Sequence, residues 1–247
     1  MILANRLRAP ARRKLVVAGW SALVLVAAVA AVAPADAARG RVRKAVPQAV
    51  SIVAQARGHQ VAIYRSPHAR RPVRWLTNPN PDGSPLVFLV TARAVGWEKV
   101  LLPVRPNEST GWIRDRAVAL ALNPYRVQVS LGQHRVRVWD GRRKIVDTPA
   151  GVGRSVVPTP RGIYFITELL KQPYPGGAYG PYAFGLSAFS NVYFSFGGGP
   201  GAIGLHGTND PGALGTDVSH GCIRIRNDVI EKLAHLLPLG TPVTITS

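Results

Sequence analysis

The sequence predicts a mainly β protein in two parts, a small N-terminal β domain and a larger β domain carrying one short helix. Three observations predict it. The 247 residues include 25 Gly and 21 Pro, which divide the chain into short segments and leave little room for long helices. Beyond residue 47 the apolar residues recur mostly with period two, the pattern of half-buried strands. One stretch near the C-terminus departs from this and carries helix start and stop signals.

The N-terminus comes first and belongs to neither domain. Arg6, Arg8, Arg12, Arg13 and Lys14 precede Leu15–Ala33, 19 residues without a charge. As a helix this run is about 28 Å long, close to the thickness of a bilayer's hydrocarbon core. A basic flank before an apolar run keeps the start inside and exports the rest. Residues 1–33 are therefore expected to be a single membrane anchor, the fate their length favours, or a signal cut near Ala35-Asp36-Ala37. The pair Arg12-Arg13 also fits a twin-arginine export signal. The protein is expected outside the cytoplasm, in the cell envelope. Residues 34–47, rich in Ala, Arg and Pro, read as a flexible linker.

The formal charge is +19, and nine of the 31 basic residues lie in the first 44. Such a balance favours polyanionic surroundings. No zinc-finger spacing or helix-turn-helix accompanies it, so no nucleic-acid partner is expected.

Residues 48–120 form the expected small β domain. The apolar clusters Val50–Val53, Val61–Tyr64, Leu86–Val90 and Trp112–Ile113 are separated by Gly, Pro and Asn/Asp turns. Trp97 and Trp112 each follow a glycine, and core packing is the default role for such rings. In size, and in its late Gly111-Trp112-Ile113 strand signal, the segment resembles a bacterial SH3-like module.

The second domain spans residues 124–247. Arg126–Ser130 and Arg135–Trp139 alternate with period two, and Asp140-Gly141 is a hairpin turn leading to Lys144–Thr148. Gly162–Thr167 and Asn191–Phe196 are further β-rich runs. Lys171–Ser190, crowded with Gly, Pro, Tyr and Phe, reads as an irregular segment lying over a surface. The helix follows at Asn227. That residue can cap it, Ile230, Leu233, Ala234 and Leu237 form its apolar stripe, and Pro238 and Gly240 stop it. Pro242–Ile245 is the last strand.

The chemistry concentrates in one stretch. His206 and His220, two of six histidines, fall within 17 residues of the sole cysteine, Cys222. A lone cysteine in an exported protein makes no internal disulfide, so its surroundings decide its role. A free thiol, with a pKa of about 8.5, needs a base or cation nearby to react at neutral pH. Imidazole supplies this and can then protonate a leaving amine. His220 sits two residues before Cys222, roughly 6.6 Å away along an extended chain, which is uncomfortable for direct contact. His206 arrives from a separate strand end and is the expected base. His220 is expected to shape the nucleophile turn or meet substrate. Gly221 allows a backbone turn whose amides face inward, so the N–H groups of His220, Gly221 and Cys222 are the expected oxyanion hole. Arg224, on the same strand face as Cys222, suits a substrate carboxylate. A zinc site at His206, His220 and Cys222 is disfavoured, because His-x-Cys lacks the usual local spacing and no fourth ligand is evident. No metal or cofactor is expected.

Residues 206–227 resemble the signature of the L,D-transpeptidase catalytic domain family, also called YkuD-like. The motif is a histidine, here His206, and then Ser219-His220-Gly221-Cys222-Ile223-Arg224, with Asn227 soon after. Thr159-Pro160-Arg161-Gly162-Ile163-Tyr164 and Gln133 resemble further family features, so the likeness covers about residues 124–246. The resemblance implies a β-sandwich-like domain with a short helix after the nucleophile. It implies acyl transfer on peptidoglycan stem tetrapeptides, with release of D-alanine and formation of 3→3 cross-links through a Cys222 thioester. It makes His206 the base, oriented by the Gly207 carbonyl, His220 and Ser219 its supporting pair, and Arg224 and Asn227 substrate-side groups. The Lys171–Gly199 segment resembles a lid over the donor site, with Tyr182 and Tyr193 as its expected walls. Carbapenem-type β-lactams are the implied inhibitors. An L,D-carboxypeptidase, attachment of a protein to the wall, and a wall-binding module without catalysis are the alternatives.

Overall fold

A computed structural model describes residues 50–195 and 198–247. The expected membrane or signal segment 1–33 and linker 34–47 lie outside the described residues. Among the described residues no helix is long and apolar enough to cross a membrane.

The first part is built from β1 (Ser51–Ala56), β2 (Gln60–Ile63), β3 (Arg74–Thr77), β4 (Val87–Ala94), β5 (Trp97–Leu101), β6 (Thr110–Arg114) and β7 (Val118–Asn123). Five of these form a sheet in the order β6-β5-β4-β1-β7, and β2 pairs with β3. Alternate residues of the strands point inward, so Ala54, Val61, Ile63, Phe88, Val100 and Ile113 form its core. Trp97 is buried edge-on against Tyr64, the packing role expected of it.

The second part follows directly: β8 (Tyr125–Ser130), β9 (Arg135–Asp140), β10 (Arg143–Pro149), β11 (Val152–Gly153), β12 (Gly162–Lys171), β13 (Tyr182–Phe189), β14 (Ala202–His206), β15 (Asp217–Ser219), β16 (Ile223–Arg224), the helix α1 (Asn227–Leu236) and β17 (Pro242–Thr246). Eight strands make one mixed sheet, ordered β10-β9-β8-β17-β12-β13-β14-β16, while β11 pairs with β15. The meander read from residues 126–148 is β8–β10, its turn at Gly141 with φ +53°. α1 turns Ile230, Leu233 and Leu237 into the same core as Phe184, Leu186 and Leu205.

Three local expectations are corrected. Residues 191–195, expected as part of a strand, are bends and irregular backbone. The preceding segment, expected to be irregular, ends in the eight-residue strand β13, which is buried on both faces and so shows no alternation. Asn227 does not cap α1. Arg226 holds the cap position without a side-chain bond, and the Asn227 Oδ1 instead accepts the Thr208 N–H at 2.8 Å.

The two sheets are joined by an apolar cluster. Phe165 of β12 is fully buried against Val53, Val87, Leu89 and Leu101 of the first sheet. Beside it the buried Asn123 Nδ2 donates to Thr241 Oγ1 at 2.9 Å. Truncating Phe165 removes the only ring in that cluster. Phe165→Ala should cost about 3–5 kcal/mol in urea unfolding. A loss below about 1 kcal/mol would show that the sheets are not energetically coupled there.

Candidate active site

The site lies where β14, β16 and the turn before Cys222 converge. β14 and β16 run parallel, pairing Leu205 with Ile223 and His206 with Arg224. This register sets the end of one strand beside the start of the next, and places His206 and Cys222 on the walls of the same two cavities.

The turn is tied by two hydroxyls. Ser219 Oγ donates to the Cys222 carbonyl at 2.6 Å and accepts the Gly221 N–H at 3.0 Å. Thr159 Oγ1 donates to the Gly221 carbonyl at 2.8 Å and accepts the Gly153 N–H at 2.9 Å. Gly221 has φ +113°, a conformation open to glycine and strained for other residues. One consequence corrects the sequence expectation. The Gly221 amide is committed to Ser219 and does not face the cavity as an oxyanion donor.

Cys222 is half-buried, and its sulfur accepts the Gly204 N–H at 3.3 Å. Enclosure raises the thiol above its ordinary range, while the Gly204 amide and the positive Arg224 pull it down. His206 is 3 % exposed. Its Nδ1 lies 2.7 Å from the Gly207 carbonyl oxygen. A carbonyl only accepts, so Nδ1 carries the proton and Nε2 presents a lone pair. Desolvation lowers the His206 pKa to about 4, against the raising effect of the Gly207 bond and with a further lowering by Arg224. At neutral pH the pair is a thiol and a neutral imidazole. Among the described residues no hydrogen bond joins them, yet both crowd Gly204. A Cβ added there would stand 3.6 Å from the His206 ring carbon Cδ2 and 3.8 Å from the sulfur.

The other expected residues divide. His220 Nε2 accepts from the Arg154 guanidinium at 2.5 Å, and its ring is 6.2 Å from that of Tyr193. Arg224 lines the first cavity, and its buried Nε has no hydrogen-bond partner among the described residues. Tyr193 lines that cavity too. Tyr182 does not. It precedes Ala183, which pairs with His206 and lines the second cavity, so the pleat sends its ring to the opposite face, 6.0 Å from His235 on α1. Asn227 braces the backbone at Thr208 and is absent from both cavity walls. Sequence reasoning missed Tyr179, whose ring centroid is 4.7 Å from that of His206. It also missed the bracing role of Thr159, although the Thr-Pro-x-Gly run that contains it was the available signal.

Two cavities meet at Cys222 and His206, one of about 190 Å³ reaching Tyr193, Ser219 and Arg224, the other of about 280 Å³ reaching Glu168 and Gly185. Among the described residues no group of three His, Cys, Asp or Glu is placed to hold a metal ion.

A histidine and a cysteine held this way, in a mainly β domain with one short helix, define a family. Residues 124–245 match the model of the L,D-transpeptidase catalytic domain, and this segment belongs to that family. Among curated relatives it is 38 % identical over 123 residues to YkuD of Bacillus licheniformis and 35 % identical over 122 residues to YkuD of Bacillus subtilis. These matches take in 50 % and 49 % of the chain and 66 % of each relative. Among solved structures, L,D-transpeptidase 3 from Mycobacterium tuberculosis is 16 % identical, with 66 % of this chain and 92 % of that chain covered and a TM-score of 0.42.

The buried neutral imidazole has a thermodynamic consequence. The folded His206 pKa of about 4 lies below the ordinary 6.5. Between those values the unfolded chain binds more protons, so the residue contributes stability at neutral pH that is lost as pH falls through this window. Glu168, raised to about 7 chiefly by burial and then by Asp82, acts with the opposite sign, so His206 must be isolated by difference. The gap in unfolding free energy between the wild type and His206→Gln should change by about 2–3 kcal/mol from pH 7 to pH 4.5, against the wild type. Urea titrations at the two pH values measure it, and an unchanged gap would refute the assignment of a buried neutral ring.

Proposed function

We propose that the protein is an L,D-transpeptidase that acylates itself at Cys222 with a peptidoglycan stem tetrapeptide and passes the acyl group to an amine of a second stem. One observation carries the reading: an amide-stabilised sulfur and an imidazole with a free Nε2 lone pair border the same space. In the first half-reaction Sγ attacks the carbonyl that joins the L-centre of the diamino acid to D-alanine. His206 Nε2 takes the thiol proton and then delivers it to the departing D-alanine amine as the C–N bond breaks. In the second, the side-chain amine of the neighbouring stem attacks the thioester, His206 Nε2 takes the amine proton and returns it to the sulfur as the C–S bond breaks, and a 3→3 cross-link forms. The Cys222 amide, at the turn made by Gly221, is the proposed donor to the oxyanion. Arg224, whose Nε has no hydrogen-bond partner among the described residues, is the proposed partner of a stem carboxylate.

Two cavities meeting at one sulfur support transfer between two peptides over hydrolysis, which needs room for one peptide and water. The basic flank and 19-residue apolar run read in residues 1–33 support placing this reaction outside the cytoplasmic membrane. The same nucleophile suits a strained β-lactam carbonyl, so carbapenems are the proposed inhibitors.

Intact mass spectrometry tests the reading. The wild type should gain one carbapenem adduct, Cys222→Ala none, and His206→Ala should label about 10²–10⁴-fold more slowly. Incubation with a tetrapeptide-bearing muropeptide should give dimers. Tripeptide alone would make the protein an L,D-carboxypeptidase, and an adduct on Cys222→Ala would remove the mechanism.

A further inference from the structure

The wall of the first cavity is held from outside the segment 124–245. Arg105 lies between β5 and β6, in the first part of the chain. Its Nη1 donates to the Ser190 carbonyl at 2.7 Å, and its Nη2 donates to those of Tyr193 at 2.9 Å and Pro200 at 3.1 Å. The guanidinium carbon also lies 4.9 Å from the Phe189 ring centroid and 4.8 Å from that of Phe194. Two residues on, Asn107 Nδ2 donates to the Phe189 carbonyl and its Oδ1 accepts the Phe189 N–H, both at 2.8 Å. Gly201 completes the arrangement. Its φ is +70°, and a Cβ there would collide with the Tyr193 carbonyl and stand 3.2 Å from Arg105 Nη2.

Ser190, Tyr193 and Gly201 all line the cavity beside Cys222. We infer that Arg105 is a positioning residue for the donor stem peptide: by gathering three carbonyls around one guanidinium it fixes the wall against which the donor lies. The inference rests on the acyl-transfer reading above and adds to it which part of the chain sets donor binding. Joining the sheets is a separate task, carried by the Phe165 cluster, by Asn123 with Thr241, and by Glu108 Oε1 accepting the Ile163 N–H at 3.0 Å. Arg105 makes none of those contacts, and its three bonds to carbonyls go to the wall. A planar guanidinium reaches these carbonyls from two separate nitrogens while stacking on the Phe189 and Phe194 rings, a span and a face that a single ammonium nitrogen does not offer.

Arg105→Ala and Arg105→Lys are compared with the wild type in two reactions. One is acylation of Cys222 by a tetrapeptide donor over a range of concentrations, which needs the wall. The other is alkylation of Cys222 by iodoacetamide, which does not. Arg105→Ala should raise the half-saturating donor concentration about 10-fold, with the limiting acylation rate and the iodoacetamide rate each within about twofold of wild type. Arg105→Lys should restore less than half of that loss. An unchanged half-saturating concentration overturns the inference, and so does a rise accompanied by a comparable change in both the limiting acylation rate and the iodoacetamide rate, which would mean a general loss of structure. A wild type that takes iodoacetamide but no donor would instead overturn the function proposed above, and this inference with it.

Discussion

The site depends on one constraint: a sharp turn must present a thiol to a cavity while its own backbone polar groups stay satisfied. An unsatisfied buried group costs about 1–3 kcal/mol, and this turn would leave several. Two buried hydroxyls meet the demand because each is donor and acceptor at once. Ser219 links the Gly221 amide to the Cys222 carbonyl, and Thr159 links the Gly221 carbonyl to the Gly153 amide. The short ladder that pairs Gly153 with Ser219 closes the network. The position of the sulfur is therefore set by strands distant in sequence, and a loop free to relax could not fix it.

The same enclosure governs the charges. A protein with a formal charge of +19 might be expected to hold a thiolate permanently, yet burial dominates and the thiol is raised. The imidazole beside it is pushed the other way and stays unprotonated. Two neutral groups cost less to bury than an ion pair lacking full hydrogen bonding. In the proposed reaction charge then appears only when a carbonyl arrives to receive it, beside the proposed Cys222 amide donor and Arg224. The Gly204 N–H fits this logic, since its bond to sulfur strengthens as negative charge develops.

Much of the chemistry was legible in the sequence, because it is local. The Ser-His-Gly-Cys run, the preceding histidine and the helix after them lie within 31 residues, and the meander of residues 126–148 displays its alternation openly. What escaped is what depends on register between distant strands. β13 hides its strand character by being buried on both faces. Tyr182 and Tyr179 are indistinguishable until the pairing of Ala183 with His206 is known, after which parity alone sends Tyr182 to the helix side. Asn227 at a helix start looks like a cap, and only the approach of Thr208 shows where its side chain is spent. The Gly221 amide looks available from sequence for the same reason, since its partner, Ser219 Oγ, is revealed by the shape of the turn rather than by its composition.

The first sheet extends this lesson to the division of labour within the chain. The family match begins at residue 124, so it takes in the proposed nucleophile and base but nothing of what supports one wall around them. In that wall the described residues Val192 and Phe194 leave their side chains exposed. Segments of that kind sit at the low end of local stability. They hold a fixed shape only when something outside them supplies partners, and here a guanidinium and a carboxamide from the first sheet do so. The bonds that set this wall are not those that set the nucleophile turn. Ser190, Tyr193 and Gly201 of the wall share one cavity with Cys222, while their backbone carbonyls or chain neighbours are tied to Arg105 and not to the hydroxyls of the turn. That separation allows donor binding to change while the thiol and its base remain as they are.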